Sequence, residues 1–302
     1  MEMGTTSNQV ALAVDIGGTK LAVGLVAKSG ELLWSSAALT LGSRSAEDIF
    51  GTLSQLLGNA LKASAQMGLT PIVVGAGCGG PMAMGGKDVS PLNIPSWRKF
   101  PLKQALERSC DLETFVDNDA KAIALAESWT GAAKGTRNFI GMVVSTGVGG
   151  GLMIDGKLLG GEAGNAGHIG HVIVEPDGAD CACGAKGCLE AEVSGLSIQR
   201  RIGMPAEFAS LDERRRAGCL TGRAIACTAN LLDLKLAVIG GSVALGFGSV
   251  FFASAQKELD RLACLDFSLG SKVVPVALGE TAPLVGAAAV GFSGLDIVTL
   301  GD

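Results

Sequence analysis

Val10-Ala11-Leu12-Ala13-Val14-Asp15-Ile16-Gly17-Gly18-Thr19-Lys20-Leu21-Ala22-Val23-Gly24-Leu25-Val26 is an apolar run, a glycine turn and a second apolar run. Val10 to Val14 has the length of a strand, and the return from Leu21 to Val26 makes a strand–turn–strand unit whose turn carries a hydroxyl, an amine and a carboxylate. A third strand is expected near Glu31 to Ala37. A helix is expected over Ala46 to Met67, from the spacing of Ile49, Phe50, Leu53, Leu56, Leu57 and Leu61. A strand restarts at Ile72 to Gly75. The opening pattern then recurs. Phe139 to Val144 reads as a strand, Ser145-Thr146-Gly147-Val148-Gly149-Gly150-Gly151 as a glycine turn, and Leu152 to Ile154 as the returning strand. Thr114 to Val116 and Asp117-Asn118-Asp119 lie at the join, where the acidic turn caps a helix over Ala120 to Trp129. Two halves that open alike imply a duplicated α/β unit with a cleft between its copies.

The only two histidines, His168 and His171, stand in Ala166-Gly167-His168-Ile169-Gly170-His171, and Cys181-Ala182-Cys183-Gly184-Ala185-Lys186-Gly187-Cys188 follows ten residues on. His171, Cys181, Cys183 and Cys188 make a tetrahedral zinc site, because imidazole and thiolate are the ligands Zn²⁺ prefers. The competing reading is a disulfide, but three cysteines cannot all pair and Cys181-x-Cys183 is too close for an easy bridge. The zinc is expected to be structural, holding His171 and, two residues past the last cysteine, Glu190.

Composition excludes several functions. The chain has 302 residues, 48% of them hydrophobic and 18% charged, with 45 glycines, which fits buried strands and tight loops rather than a disordered tail. A net charge of −5 and the lack of a Lys/Arg stripe argue against a nucleic-acid groove. Arg214-Arg215-Arg216, beside Asp212 and Glu213, reads as a solvated helix face. Cys78, Cys110, Cys219, Cys227 and Cys264 are scattered and read as reduced, so a cytoplasmic location is expected. Leu236 to Ala255 is uncharged and of spanning length, but Gly240, Gly241, Ser242, Gly246, Gly248 and Ser249 interrupt it. It reads as strand, glycine turn and helix, not as a membrane span.

Neither glycine turn fits the P-loop or dinucleotide pattern. A single one is most simply a hairpin. Two of them, with a third glycine pair at Gly240-Gly241-Ser242 after the strand Leu236 to Ile239, favour a nucleotide cleft in which backbone N–H groups converge on phosphate. Asp15 is placed to hold Mg²⁺ directly or through water.

Asp15-Ile16-Gly17-Gly18-Thr19-Lys20, Asn93-Ile94-Pro95-Ser96-Trp97, Asn118-Asp119-Ala120, Ser145 to Gly151 and the Gly170-His171…Cys181-x-Cys183-Gly184-x-x-Gly187-Cys188-x-Glu190 run together resemble the ROK family of bacterial sugar kinases (repressor, open reading frame, kinase). The match runs from near residue 10 to about residue 292, and the cysteine-histidine run is its most specific element. The resemblance implies a two-lobed, actin-like (ribonuclease-H-like) α/β fold with duplicated lobes. The expected lobes are residues 1–118 with about 284–302, the smaller, and 119–283, the larger, carrying the zinc loop at 168–190. It implies an ATP-dependent kinase for the 6-hydroxyl of a hexose or N-acetylhexosamine, with Mg-ATP and structural zinc. Asp15, Gly17, Gly18, Thr19 and Lys20 and Thr146, Gly147, Gly149 and Gly150 are then the phosphate loops, with Gly240 and Gly241 the adenosine element. Asp119 is the catalytic base, and Asn93, Asn118, Asp119, His168, His171 and Glu190 face the sugar. A homodimer is expected, without nucleic acid or membrane as partner.

The chemistry expected of Asp119 stands on its own. A sugar hydroxyl is a poor nucleophile, so phosphoryl transfer needs it aimed at the γ-phosphate and relieved of its proton late in the step. The competing reading of Asp119 is a helix N-cap worth about 1 kcal/mol. Two residues depart from the family pattern. Many members have glutamate where His168 stands, and Ala166-Gly167-His168-Ile169-Gly170-His171 resembles N-acetylmannosamine kinases more than glucokinases. Imidazole donates as well as accepts, whereas carboxylate only accepts. Lys121 replaces the usual asparagine. A cation in a helix's first turn costs roughly a few tenths of a kcal/mol, little enough for a surface change, though Lys121 is also placed to pair with Asp119, Glu190 or a phosphate. Two rival readings remain: a sugar-sensing ROK repressor and a non-catalytic sugar-binding protein. With fourteen residues ahead of Asp15, no DNA-binding module is expected.

Overall fold

The computed structural model describes residues 8–40 and 45–298. The chain divides into two compact units. Among the described residues, the first runs through Thr130 and takes in Gly160–Asn165 and the chain from Glu280 to residue 298, while the second takes Gly131–Leu159 and Ala166–Gly279.

The first unit is built on strands β1 (Gln9–Ile16), β2 (Lys20–Ala27), β3 (Leu32–Leu39), β4 (Thr70–Cys78) and β5 (Thr114–Asn118), in the spatial order β3-β2-β1-β4-β5. β1 pairs antiparallel with β2 and parallel with β4, and β4 pairs parallel with β5. The period of two along β1 sorts its residues onto two buried faces. Val10, Leu12, Val14 and Ile16 join the core under α1 (Ala46–Gln66) and α2 (Leu102–Cys110), with Ile49, Leu53, Leu57 and Leu106. Ala11 and Ala13 face the other way, into a core with Leu284, Ala287, Ala288 and Phe292 of α8 (Ala282–Gly294). Small side chains on that face let α8 lie directly on the sheet. A Cβ built at Gly75 would come 1.9 Å from the carbonyl oxygen of Ala287, so only glycine admits the helix there.

The second unit has strands β6 (Phe139–Val144), β7 (Val148–Ile154), β8 (Lys157–Leu158), β9 (Leu236–Gly240) and β10 (Lys272–Pro275), ordered β10-β9-β6-β7-β8. Senses of pairing repeat as well: β6 is antiparallel to β7 and parallel to β9, and β9 is parallel to β10. The expected duplication is therefore present in the topology, with β1–β5 answered by β6–β10. Helices α6 (Leu211–Leu232) and α7 (Ser242–Leu262) pack together over this second core. The uncharged run from Leu236 to Ala255 is β9, a glycine turn and the start of α7. Among the described residues no helix is long and apolar enough to cross a membrane.

Two expectations change. The boundary expected between residues 118 and 119 falls after Thr130, because α3 (Asp119–Trp129) packs on α8, where a Cβ at Gly286 would lie 2.3 Å from Ala122 O. The expected lobe ends at 1–7 and 299–302 lie outside the described residues. The glycine run 149–151, read as turn, is strand. β7 begins at Val148, and its glycines exist for close packing, since a Cβ at Gly167 would stand 2.4 Å from Gly150 O and one at Gly150 would stand 3.0 Å from Ile169 Cγ2.

Candidate active site

In the first unit the candidate residues gather at the carboxyl ends of three neighbouring parallel strands, where open α/β sheets bind ligands. Asp15 of β1 is in register with Gly77 of β4, and Gly77 with Asp117 of β5. Asn118 ends β5 and Asp119 opens α3. Asn118, not Asp119, is the N-cap, its Oδ1 accepting from Ala120 N at 3.0 Å. Asp119 is exposed, and its Oδ1 accepts from the same N–H at 2.8 Å. The capping reading thus belongs to the neighbour, and the Asp119 carboxylate faces solvent at a helix N-terminus.

Charge repulsion marks this corner. Burial, with the Asp119 carboxylate nearby, raises Asp15 to about 7, against a partial lowering by Lys20. Burial first, then the charges of Asp119 and Asp15, push the Cys78 thiol far up, so Cys78 stays an inert thiol at the end of β4. The sequence had offered Cys78 only as a scattered core cysteine.

The glycine turn after Asp15 is closed by Gly17 N donating to Lys20 O at 2.9 Å and by Thr40 Oγ1 donating to Gly17 O at 2.7 Å. Thr19 and Lys20 are exposed at its tip. Asn93 packs directly on this turn, as a Cβ at Gly18 would lie 2.5 Å from Asn93 Cβ. The segment that presents Asn93 is stiff for a reason sequence reasoning missed. Arg98 Nη1 donates to the carbonyls of Pro91, Ile94 and Trp97 at 2.9, 3.1 and 2.8 Å. Trp97, fully buried, stacks on Phe100 with ring centroids 4.3 Å apart. An arginine one position after a tryptophan gives no periodic signal, so only the fold reveals this clamp.

Lys121 is not a surface change. It is 2% exposed, donates to Gly164 O at 2.7 Å and pairs with Asp117 Oδ1 at 3.7 Å. Burial raises the Asp117 carboxyl, with Lys121 and the Asn118 N–H, 2.7 Å away, opposing the rise. Lys121 pairs with Asp117, four residues back, and with a loop 43 residues on. That loop, Gly160–Asn165, belongs to the first unit although its flanking segments belong to the second.

In the second unit the answering turn spans Ser145 to Gly147. Ser145 N donates to Gly147 O at 2.9 Å, and Gly195 N donates to Ser145 O at 2.7 Å. Thr146 is exposed at the tip, whereas Gly149 and Gly150 are residues of β7 and Gly150 is buried. Glu190 of α4 (Leu189–Val193) reaches this turn, its Oε2 accepting from Val148 N at 2.9 Å. Gly240 ends β9 beside Val143 of β6, and Gly241 takes φ 98° before α7. No side chain caps α7, which leaves its first N–H groups open to an anion.

The four expected metal ligands converge. One ligand atom from each of His171, Cys181, Cys183 and Cys188 lies within 4.8 Å of all the others. His171 Nδ1 is 3.7 Å from Cys181 Sγ, and Cys183 Sγ is 3.6 Å from Cys188 Sγ. Thiolates at about 2.3 Å from a tetrahedral ion would stand about 3.8 Å apart, and the Cys183–Cys188 separation of 3.6 Å is close to that value. The ring nitrogen of His171 beside Cys181 is Nδ1. His168 is exposed, its ring 6.2 Å from that of His171 and inclined by 20°. A second anchor went unread in the sequence. Glu192, 2% exposed, accepts from Ala179 N at 2.6 Å and from Arg216 Nη2 at 2.5 Å, with Arg201 Nη1 at 3.8 Å. Burial opposes its ionisation, but these three partners outweigh it and hold the carboxyl below the usual range. Arg216, read as part of a solvated face, is therefore a structural partner, while Arg215 stays exposed with Asp212.

The model of the ROK family matches residues 11–291. The chain belongs to the ROK family. Its fold is the actin-like, two-lobed α/β fold of that family. It is 30% identical to a glucokinase of Thermotoga maritima, the match covering 92% of this chain and 96% of the relative. It is 36% identical to an N-acetylmannosamine kinase of Escherichia fergusonii, covering 78% and 84%. Among solved structures, a ROK family glucokinase of Streptomyces griseus in complex with glucose and AMPPNP superposes with a TM-score of 0.80 at 30% identity, covering 94% of this chain and all of that one.

Proposed function

We propose that this ROK protein is an ATP-dependent sugar kinase acting on the 6-hydroxyl of a hexose or N-acetylhexosamine, with N-acetylmannosamine and glucose as the first candidates. The observation that carries the reading is Asp119, an exposed carboxylate at a helix N-terminus, close enough to Asp15 at the first glycine turn to raise its pKa. In the proposed reaction the sugar's O6 attacks the γ-phosphorus of ATP, the bond from that phosphorus to the bridging oxygen breaks, and ADP leaves. The O6 proton passes to Asp119 late in the step. Asn93 and Asn118 are the proposed sugar contacts in the first unit, and His171 Nε2, Glu190 and His168 are the donors and acceptors proposed for sugar recognition in the second. The turns at Gly17–Lys20 and Thr146–Gly147 and the open end of α7 receive the nucleotide. Mg²⁺ would neutralise phosphate charge, with Asp15 as its oxygen ligand. Zinc, held by His171, Cys181, Cys183 and Cys188, would fix the His171 ring and the start of α4 without touching the phosphoryl group. Glucose, N-acetylmannosamine, N-acetylglucosamine, mannose, fructose and allose with Mg-ATP, followed by ADP release, test the reading. Sugar binding without turnover on any of them would leave a sensor or binding protein instead.

The pKa of Asp15 gives the reaction a pH signature. A proton and Mg²⁺ compete for one carboxylate, so the Mg²⁺ concentration for half-maximal rate should rise about tenfold from pH 8 to pH 6 as Asp15 is protonated below its value of about 7. Because the folded state binds the extra proton between about pH 4 and 7, stability from this group falls as pH rises through that window. Asp15→Asn should therefore be more stable than the parent at pH 8. Equal Mg²⁺ requirements at both pH values would remove Asp15 from metal binding.

His168 is proposed as a determinant of sugar choice, supported by its ring standing 6.2 Å from that of the metal-cluster histidine. The enzyme should use N-acetylmannosamine at least as well as glucose. Leaving one buried polar group unpaired costs roughly 1–3 kcal/mol, so His168→Glu should move the kcat/KM ratio towards glucose by about tenfold. A strong preference for glucose, unchanged in the variant, would make His168 a silent difference.

A further inference from the structure

The contact between Glu190 and the second glycine turn reaches beyond sugar recognition. Glu190 Oε2 accepts from Val148 N at 2.9 Å, while no hydrogen bond to another described residue engages Oε1. The backbone of Glu190 is itself fixed. Leu189 N donates to Val172 O at 2.9 Å, Glu190 O accepts from Ser194 N at 3.1 Å and from Ser197 Oγ at 3.0 Å, and Cys188 of the metal cluster is two residues back. Gly195 N, just past α4, holds Ser145 O at 2.7 Å. The segment 190–195 thus grips the turn on both sides, at residues 145 and 148, and leaves Thr146 exposed between. Gly147 is what admits the carboxylate, because a Cβ there would lie 2.8 Å from Glu190 Oε2. In the topologically equivalent turn of the first unit, Gly18 admits Asn93 in the same manner. In each unit, then, a residue that the proposed function assigns to the sugar rests on the glycine of a turn that it assigns to phosphate.

We infer that Glu190 is a positioning residue that couples the two substrates, one carboxylate oxygen holding the Thr146–Gly147 turn and the other taking a sugar hydroxyl. This inference rests on the kinase reading. A sugar that pulls on Oε1 stiffens or shifts the group that holds Val148 N, and with it the neighbouring N–H groups that meet phosphate. Coupling of this kind is reciprocal, so each ligand raises the other's affinity by the same factor.

The experiment is calorimetric titration of AMPPNP with and without a saturating sugar, either N-acetylmannosamine or glucose, whichever the parent phosphorylates. In the parent, sugar should tighten AMPPNP about tenfold, within the usual range of such couplings. Gly147→Ala should displace the carboxylate from the turn while leaving Glu190 in the chain, so sugar still binds but its effect on AMPPNP falls below about twofold. Glu190→Ala should lose the coupling and weaken sugar binding together. Glu190→Gln, whose amide oxygen still accepts from Val148 N, should keep most of it. A merely structural role would lower both affinities without changing their ratio. Undiminished coupling in Gly147→Ala and Glu190→Ala, or no coupling in an active parent, overturns the inference and leaves the kinase reading intact. A parent that turns over no sugar overturns the kinase reading and this inference with it.

Discussion

Asp119→Asn should lower kcat by at least about a hundredfold, the usual worth of a positioned general base, while leaving fold and sugar affinity near those of the parent. The fold should survive because Asn118 is the N-cap of α3 and keeps its bond to Ala120 N, and an asparagine carbonyl can accept from the same N–H as Asp119 now does. Sugar affinity should survive because the amide keeps an acceptor of the same shape. What the variant loses is the ability to take the hydroxyl proton. It also loses a negative charge beside Asp15, whose pKa Asp119 helps to raise. The midpoint of the Mg²⁺ requirement should therefore move to lower pH in the residual activity, a shift that damage to the fold would not produce. Turnover like that of the parent would take Asp119 out of the mechanism.

The second large effect is that of the metal. Protein prepared without chelator should carry about one zinc per chain, and stripping it should raise the sugar KM by about tenfold or more and lower the melting temperature. The reason is the small apolar support under this loop: among the ligands only Cys188 is fully buried, and Cys183 is exposed. Without the ion, four ligand groups within 4.8 Å of one another have little to hold them together. The loosening should be uneven. Ala179 N stays bound to Glu192, which Arg216 anchors, so residues 175–179 should remain protected against amide exchange while 181–187 lose protection. Cys188→Ser should reproduce the chelator's effect. Metal analysis that finds no zinc, with Cys181, Cys183 and Cys188 all freely titratable, would falsify the assignment.

Local patterns carried most of the fold. Strand–glycine turn–strand at 10–26 and at 139–154 was readable because period and turn chemistry act within a few residues, and β1–β2 and β6–β7 stand where those patterns put them. The run Gly149 to Gly151 misled for a physical reason. Glycine signals a turn and a close backbone approach equally, and here it is Ile169 and Gly167, packed against β7, that require it. The α3 boundary misled likewise, because the surface α3 covers is provided by α8, more than 150 residues away in the chain.

The sequence by itself determined the duplicated α/β plan, the four-residue His/Cys cluster that could hold a metal and the carboxylates at the strand ends. Each depends on spacing between near neighbours, and spacing is written in the chain. Only the tertiary structure decided what those groups touch. It buried Lys121 against Asp117 and Gly164, brought Cys78 within reach of the charges of Asp15 and Asp119, bound Arg98 to the carbonyls of the segment of Asn93, and laid Glu190 on the turn at Gly147. Most of these contacts link residues well apart in sequence; Lys121 with Asp117 and Arg98 with its own segment are local, and Arg98 acts through a turn that the buried Trp97 helps to set. Such contacts follow from how sheets and helices pack, because desolvation, charge repulsion and close approach are properties of distance in space.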